Sequence, residues 1–130
     1  MCKVVSAGEG RAVVARIKSD FWVSAHLRRC ALVGIDAVLR RRGSPEAGAI
    51  FVTVDRLGGE VDLYGPAPQS LIEADDAIGR LFAPILTGKT PLDIEARMAR
   101  ELNFDPDLWW LSIDDRQGRH LLDLASDPPL

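Results

Sequence analysis

Three groups of residues in this 130-residue chain have the types and spacing to do chemistry. The first is Ala83-Pro84-Ile85-Leu86-Thr87-Gly88-Lys89-Thr90, which has phosphate-loop spacing if alanine stands in for the first glycine. Such a loop needs a buried strand before it, small residues whose N–H groups wrap the phosphates, and a helix after it. Here the preceding residues have helical spacing, Pro84, Ile85 and Leu86 stand where small residues are required, and Pro91 removes a donor just past Thr90. The stretch therefore reads as a helix break with Thr90 capping the next helix. The second group is Asp114, Asp115, Arg116, Arg119 and His120, with Ser112 just before it. Adjacent carboxylates and a histidine can ligate a metal or work as an acid–base pair, but the same residue types also build solvated hairpin tips. His26 and His120 are the only histidines, so a metal site would have to rest mostly on carboxylates; no metal and no cofactor is expected.

The third group comes from strand parity, which sets Phe51, Thr53, Tyr64 and Trp110 on the sheet face opposite the apolar core, with Arg40 or Arg42 near its edge. An aromatic and basic sheet face can stack single-stranded bases, and it can equally be covered by another helix of the same chain or by a second subunit. Asp55 and Asp62 fall on the same predicted face and repel phosphate, and the chain carries a formal charge of −3. Phe51, Tyr64 and Trp110 are thus candidate contacts for a protein partner or a second copy, and nucleic acid is the weaker reading.

Apolar residues make up 47% of the chain and charged residues 27%, and no apolar run approaches the roughly 18 residues a bilayer demands. This is the profile of one globular domain with a self-sufficient core and no membrane span. Met1-Cys2-Lys3 and the residues after it lack the charged and apolar regions of a secretory signal, so a cytoplasmic location is expected. Cys2 and Cys30 support neither a disulfide framework nor a cysteine-based zinc site, and Cys30 reads as core. The first 65 residues hold ten Lys/Arg against seven Asp/Glu, while the last 65 hold six against twelve. Arg40, Arg41 and Arg42, with the Gly43 to Gly48 loop, are candidate anion contacts. The competing reading docks the basic half on the acidic half of the same domain or of a second copy.

The elements that must position these groups follow from periodicity and punctuation. Residues 1–12 read as a mobile lead-in, 13–125 as the domain, with a short extended piece at Val13 to Lys18, and 126–130 as a Pro-rich tail. Ser19 or Asp20 caps a helix over Phe21 to Val33, with Val23, Leu27, Cys30 and Ala31 on one stripe and Gly34 as its stop. Strands are predicted at Asp36 to Arg42, Ile50 to Asp55, Val61 to Tyr64 and Leu108 to Ile113, with Leu57-Gly58-Gly59-Glu60 as a hairpin. Ser70 and Glu73 form a capping box for a helix over Leu71 to Ala83, which Pro84 ends. Thr90 and Pro91 start a third helix running to about Leu102. Arg119 to Leu124 reads as a last strand or a short helix. The order predicts an α+β domain: a mostly antiparallel sheet of four to five strands with about three helices on one face.

Four stretches carry a family resemblance: Arg16-Ile-Lys-Ser-Asp-Phe-Trp-Val-Ser-Ala25, Arg41-Arg-Gly-Ser-Pro-Glu-Ala-Gly-Ala-Ile50, Tyr64-Gly-Pro-Ala-Pro-Gln69 and Phe104-Asp-Pro-Asp-Leu-Trp109. In combination they resemble small bacterial proteins of the domain-of-unknown-function family numbered fourteen ninety-one. The resemblance spans about residues 16–124 and implies a single cytoplasmic bacterial domain, with no catalytic residue to carry over. The leading expectation is a non-enzymatic interaction module. The alternative is a small enzyme or anion-binding protein using Arg40 to Arg42 and the turn of Asp114, Asp115 and His120, and a single-stranded nucleic-acid binder comes third.

Overall fold

The computed structural model describes residues 18–68 and 80–125 of the chain. In order they form α1 (Ser19–Leu32), β1 (Asp36–Arg41), β2 (Ile50–Asp55), β3 (Val61–Pro66), β4 (Phe82–Lys89), α2 (Pro91–Phe104) and β5 (Trp109–Asp114). The five strands make one sheet in the order β1-β5-β2-β3-β4. Three pairings are antiparallel, and β2–β5 is parallel. The domain is α+β, as the element order predicts, with a mixed sheet.

β2 and β5 lie at the centre and present apolar residues to both sides, because both faces of the sheet are covered. Ile50, Val52 and Val54 join Trp109, Leu111 and Ile113 beneath Trp22, Val23 and Cys30 of α1. Phe51 and Trp110 face the other way and pack with Val61, Leu63, Ile94 and Met98 beneath α2. The helices therefore occupy opposite faces, which corrects the expectation that they share one. Two helices are seen among the described residues, and most of the predicted Leu71 to Ala83 helix lies outside them.

Phe82 and Ala83, the end of that predicted helix, belong instead to β4, which runs through Pro84 as an edge strand where a missing ladder donor is tolerated. The phosphate-loop look-alike is therefore strand running directly into α2, with no wrapping loop. Thr90 caps α2 by accepting the Asp93 N–H at 3.2 Å, and Pro91 opens it, as the sequence predicts. Arg119 to Leu124 forms neither a strand nor a helix; it is an irregular segment whose Leu124 makes one parallel bridge to Phe82. Of the predicted extended piece at Val13 to Lys18, only Lys18 is described, and it is the N-cap of α1. Among the described residues no helix is long and apolar enough to cross a membrane.

Candidate functional site

Three of the four stretches that carry the family resemblance meet at one end of the sheet. Asp107 and Ser44 bring the 42–49 loop against the turn before β5: the Ser44 N–H donates to the Asp107 carbonyl at 2.8 Å, and the Trp109 indole N–H donates to the Ser44 carbonyl at 2.7 Å. A Cβ on Gly43 would collide with the Asp107 carbonyl, and one on Gly48 would lie 2.9 Å from the Trp109 ring, so both positions require glycine for close approach. The start of α1 is tied to the same loop. Asp20 donates its N–H to the Pro45 carbonyl at 2.9 Å, and the buried Ser19 hydroxyl donates to the Gly48 carbonyl at 2.7 Å while accepting from Arg80 at 2.8 Å. Each contact satisfies a backbone group that the loop would otherwise bury unpaired. This end of the molecule is a rigid brace.

The three candidate anion-binding arginines are occupied. The Arg40 guanidinium lies 3.7 Å from the Trp110 ring centroid and pairs with Glu95 of α2 at 2.8 Å. Arg41 donates to the Pro106 carbonyl at 2.7 Å, and Arg42 lies 5.3 Å from the Trp109 ring. They fasten edge strand β1 to α2 and to the turn before β5. The Arg40–Glu95 pair joins the basic half of the chain to its acidic half.

The three candidate partner contacts do not share an open face. Phe51 is 7% exposed and Trp110 6%, and the Trp110 indole N–H donates to the Thr53 hydroxyl at 3.1 Å. Tyr64 pairs with Val52, which puts it on the α1 side, packed at 4.7 Å against the His120 ring. Apolar parity misplaced β3 by one position. With both faces of the sheet buried, Val61 and Leu63 are as well accommodated under α2 as under α1, and the observed register places them under α2.

The polar turn also divides. Asp115 is held by Arg119 through its N–H and its guanidinium, both at 2.8 Å, which lowers its carboxyl to about 2. Asp114 is in register with Asp36 of β1 and Asp55 of β2. Burial, then the charges of Asp55 and Asp36, push its carboxyl above the ordinary range. Asp36 and Asp114 line an open cleft of about 330 Å³ together with Asp115, Arg116 and Arg119, so of the predicted polar cluster only His120 lies outside it. Among the described residues no group of three or more His, Cys, Asp or Glu can hold a metal ion. His120 turns inward, its Nδ1 accepting the Leu122 N–H at 3.0 Å, with burial lowering its pKa.

His120 meets a buried histidine of α1. His26 stacks on Trp22 at 4.5 Å, receives a hydrogen bond from Arg29 at Nδ1 and donates from Nε2 to the His120 carbonyl, both at 2.9 Å. This donor and acceptor pattern fixes the neutral Nε2–H tautomer. Burial, with Arg29 next in importance, lowers His26 to about 4. The buried stripe of α1 is Ser19, Trp22, Val23, His26 and Cys30, with Ala31 exposed, so it is rotated from the expected stripe.

That rotation leaves a second stripe facing outward. Phe21, Ala25, Arg28 and Leu32 recur at spacings of four, three and four, opposite the buried set. Phe21 is 66% exposed and Leu32 78%, with Val33 also open beside them. A hollow of about 310 Å³ runs along this side, lined by Phe21, Ser24, Ala25, Arg28 and Arg29.

The brace and both covered faces are built within residues 18–125, and the sequence profile of one family, described as "Protein of unknown function (DUF1491)", matches residues 17–123. The chain belongs to that DUF1491 family. A DUF1491 protein from Caulobacter crescentus CB15, known from a crystal structure, is 32% identical with a TM-score of 0.68, covering 85% of this chain and 98% of its own. Protein Atu0922 from A. tumefaciens, a structural genomics target with a solution structure, is 38% identical with a TM-score of 0.73, covering 89% of this chain and all of its own. A solution structure of a C. crescentus DUF1491 protein is 31% identical with a TM-score of 0.69. No curated protein matches the chain. Three of the four stretches by which the sequence resembles DUF1491 proteins thus supply internal fasteners here, at Ser19, Asp20, Ser44, Asp107 and Trp109, whereas the outward stripe of α1 is no part of the predicted helix face. Its signal was two apolar periodicities overlaid on one helix.

Proposed function

We propose that this DUF1491 protein is a non-catalytic, cytoplasmic interaction module that engages another protein through the outward face of α1. The observation that carries the reading is the exposure of two large apolar side chains, Phe21 and Leu32, on the outward side of a helix whose opposite side is already buried, with half-buried Ala25 and the cation Arg28 between them. Large apolar groups left open on a helix's outer side gain by being covered by a further surface. Association through the sheet face or the sheet edges is less favourable. α2 covers Phe51 and Trp110, the β1 edge carries a bulge between Leu39 and Arg41, and the β4 edge carries Pro84 and two register shifts. Bulges and prolines are standard guards against edge-to-edge pairing. Anion binding loses support because Arg40, Arg41 and Arg42 each have an internal partner.

The test is a photo-crosslinking amino acid placed in living cells at position 21, at position 32, or at the exposed Leu92 of α2 as a control. A discrete adduct with the same protein from positions 21 and 32, absent from 92, is the expected result. Equal labelling from all three positions, or none from any, overturns the reading.

A further inference from the structure

We infer that the partner seated on α1 is an acidic amphipathic helix. The inference rests on the reading of α1 as the contact face and adds the chemistry of what covers it. The hollow lies between adjacent side-chain rows of α1. Phe21 forms its apolar end, Ser24 and Ala25 its floor, and Arg28 and Arg29 its other end. Small residues on the floor let a second helix approach closely, and a ridge of side chains fits between such rows. A large apolar side chain laid on Ser24 and Ala25 would pack against Phe21. One turn further along, its own helix would present the next residue to the arginines.

Charge decides what that next residue is. Arg29 is held by His26 and lies 5.9 Å from the Trp22 ring centroid. Arg28 makes no ion pair or hydrogen bond among the described residues. Lys18 adds a third cation at the start of the helix, against Asp20 alone. A second copy of α1 would bring the same cations to the interface and little to offset them. A helix with an apolar residue followed three or four positions later by Glu or Asp matches both ends of the hollow.

The experiment uses the full chain and two synthetic 18-residue helical peptides that share one Leu-rich face and differ only in a Glu-rich or Lys-rich polar face. The Glu peptide is expected to bind about tenfold more tightly than the Lys peptide, with the advantage shrinking as salt rises. Arg28→Glu should reverse the preference while leaving the thermal midpoint unchanged, since the side chain is exposed. Equal binding of both peptides, abolished by Phe21→Ser, overturns the acidic partner and leaves α1 as the contact face. A concentration-dependent dimer that Phe21→Ser dissolves gives the hollow to a second copy and likewise overturns the acidic helix. Binding of neither peptide, with no dimer and no adduct from position 21, overturns both readings together.

Discussion

The guanidinium of Arg40 lies over Trp110, its carbon 3.7 Å from the ring centroid, while bonding Glu95 on the helix above. One exposed side chain thereby seals the edge of the core beneath α2 and fixes the extra residue where β1 bulges against β5. Arg40→Ala should cost about 1 kcal/mol, the usual size of a partly exposed cation–π contact. Trp110→Ala should cost about 3–5 kcal/mol, because it opens a cavity and leaves the Thr53 hydroxyl without its donor. Urea titrations of the two variants check both values. Loss of self-association by Trp110→Ala in a protein of unchanged stability would contradict the buried position of the ring.

Stability should fall on mild acidification. His26 titrates at about 4 when folded and at its ordinary 6.5 when unfolded, so between these values the unfolded chain binds the extra proton. The stability this neutral histidine preserves is complete above pH 6.5 and declines as pH drops toward 4, by roughly 3 kcal/mol in total. His120, also lowered by burial, adds a slope of the same sign. Denaturation midpoints measured from pH 7.5 to 4.5 should decline, and His26→Gln should remove about one proton's worth of that slope.

Asp114 should behave in the opposite sense. Its carboxyl is raised, so the folded protein holds that proton more tightly than the unfolded chain does, and the ionised form opposes folding. Asp114→Asn removes a like charge opposite Asp36 and Asp55 and should stabilise the protein at pH 7 by up to about 1 kcal/mol. The gain should shrink as the pH is lowered and Asp114 protonates in the parent. Thermal melts of both proteins at pH 7 and pH 4.5 test the sign.

The brace around Ser44 and Asp107 predicts a contrast among glycines. Gly43→Ala drives a methyl into the Asp107 carbonyl and should cost about 1–3 kcal/mol, since a backbone atom cannot step aside as a flexible side chain can. Gly58→Ala meets nothing within 4 Å and should stay within about 0.5 kcal/mol of the parent. Guanidinium titrations separate the two.

Much of the strand layout is legible in the residue pattern. Ile50 to Asp55 is the same strand in both readings, and Thr90-Pro91 starts α2 where capping chemistry places it. The errors have one physical source. Alternation says which residues share a face but not which face has a helix over it, so Tyr64 was grouped with Phe51 and Trp110 although it packs beside His120 on the other side. β4 was hidden because Pro84 and Gly88 mimic a break, and an edge strand tolerates both. The arginine seam and the His26 contacts depend on residues 55 to 94 positions apart, beyond the reach of any local window.

Strand order also constrains how the chain becomes a sheet during translation. β1 and β2 are made before β5 and are neighbours in sequence, yet β5, the last strand among the described residues, lies between them. Until β5 has left the ribosome, each has an unpaired edge, and Val52 and Val54 lack the strand that completes their layer. Between the emergence of β2 and that of β5 the nascent protein therefore carries a sticky half-sheet, a state in which pairing with another chain competes with folding. Its closure depends on a single late strand joining both halves at once, so truncation before Trp109 should yield an aggregating chain rather than a smaller stable domain.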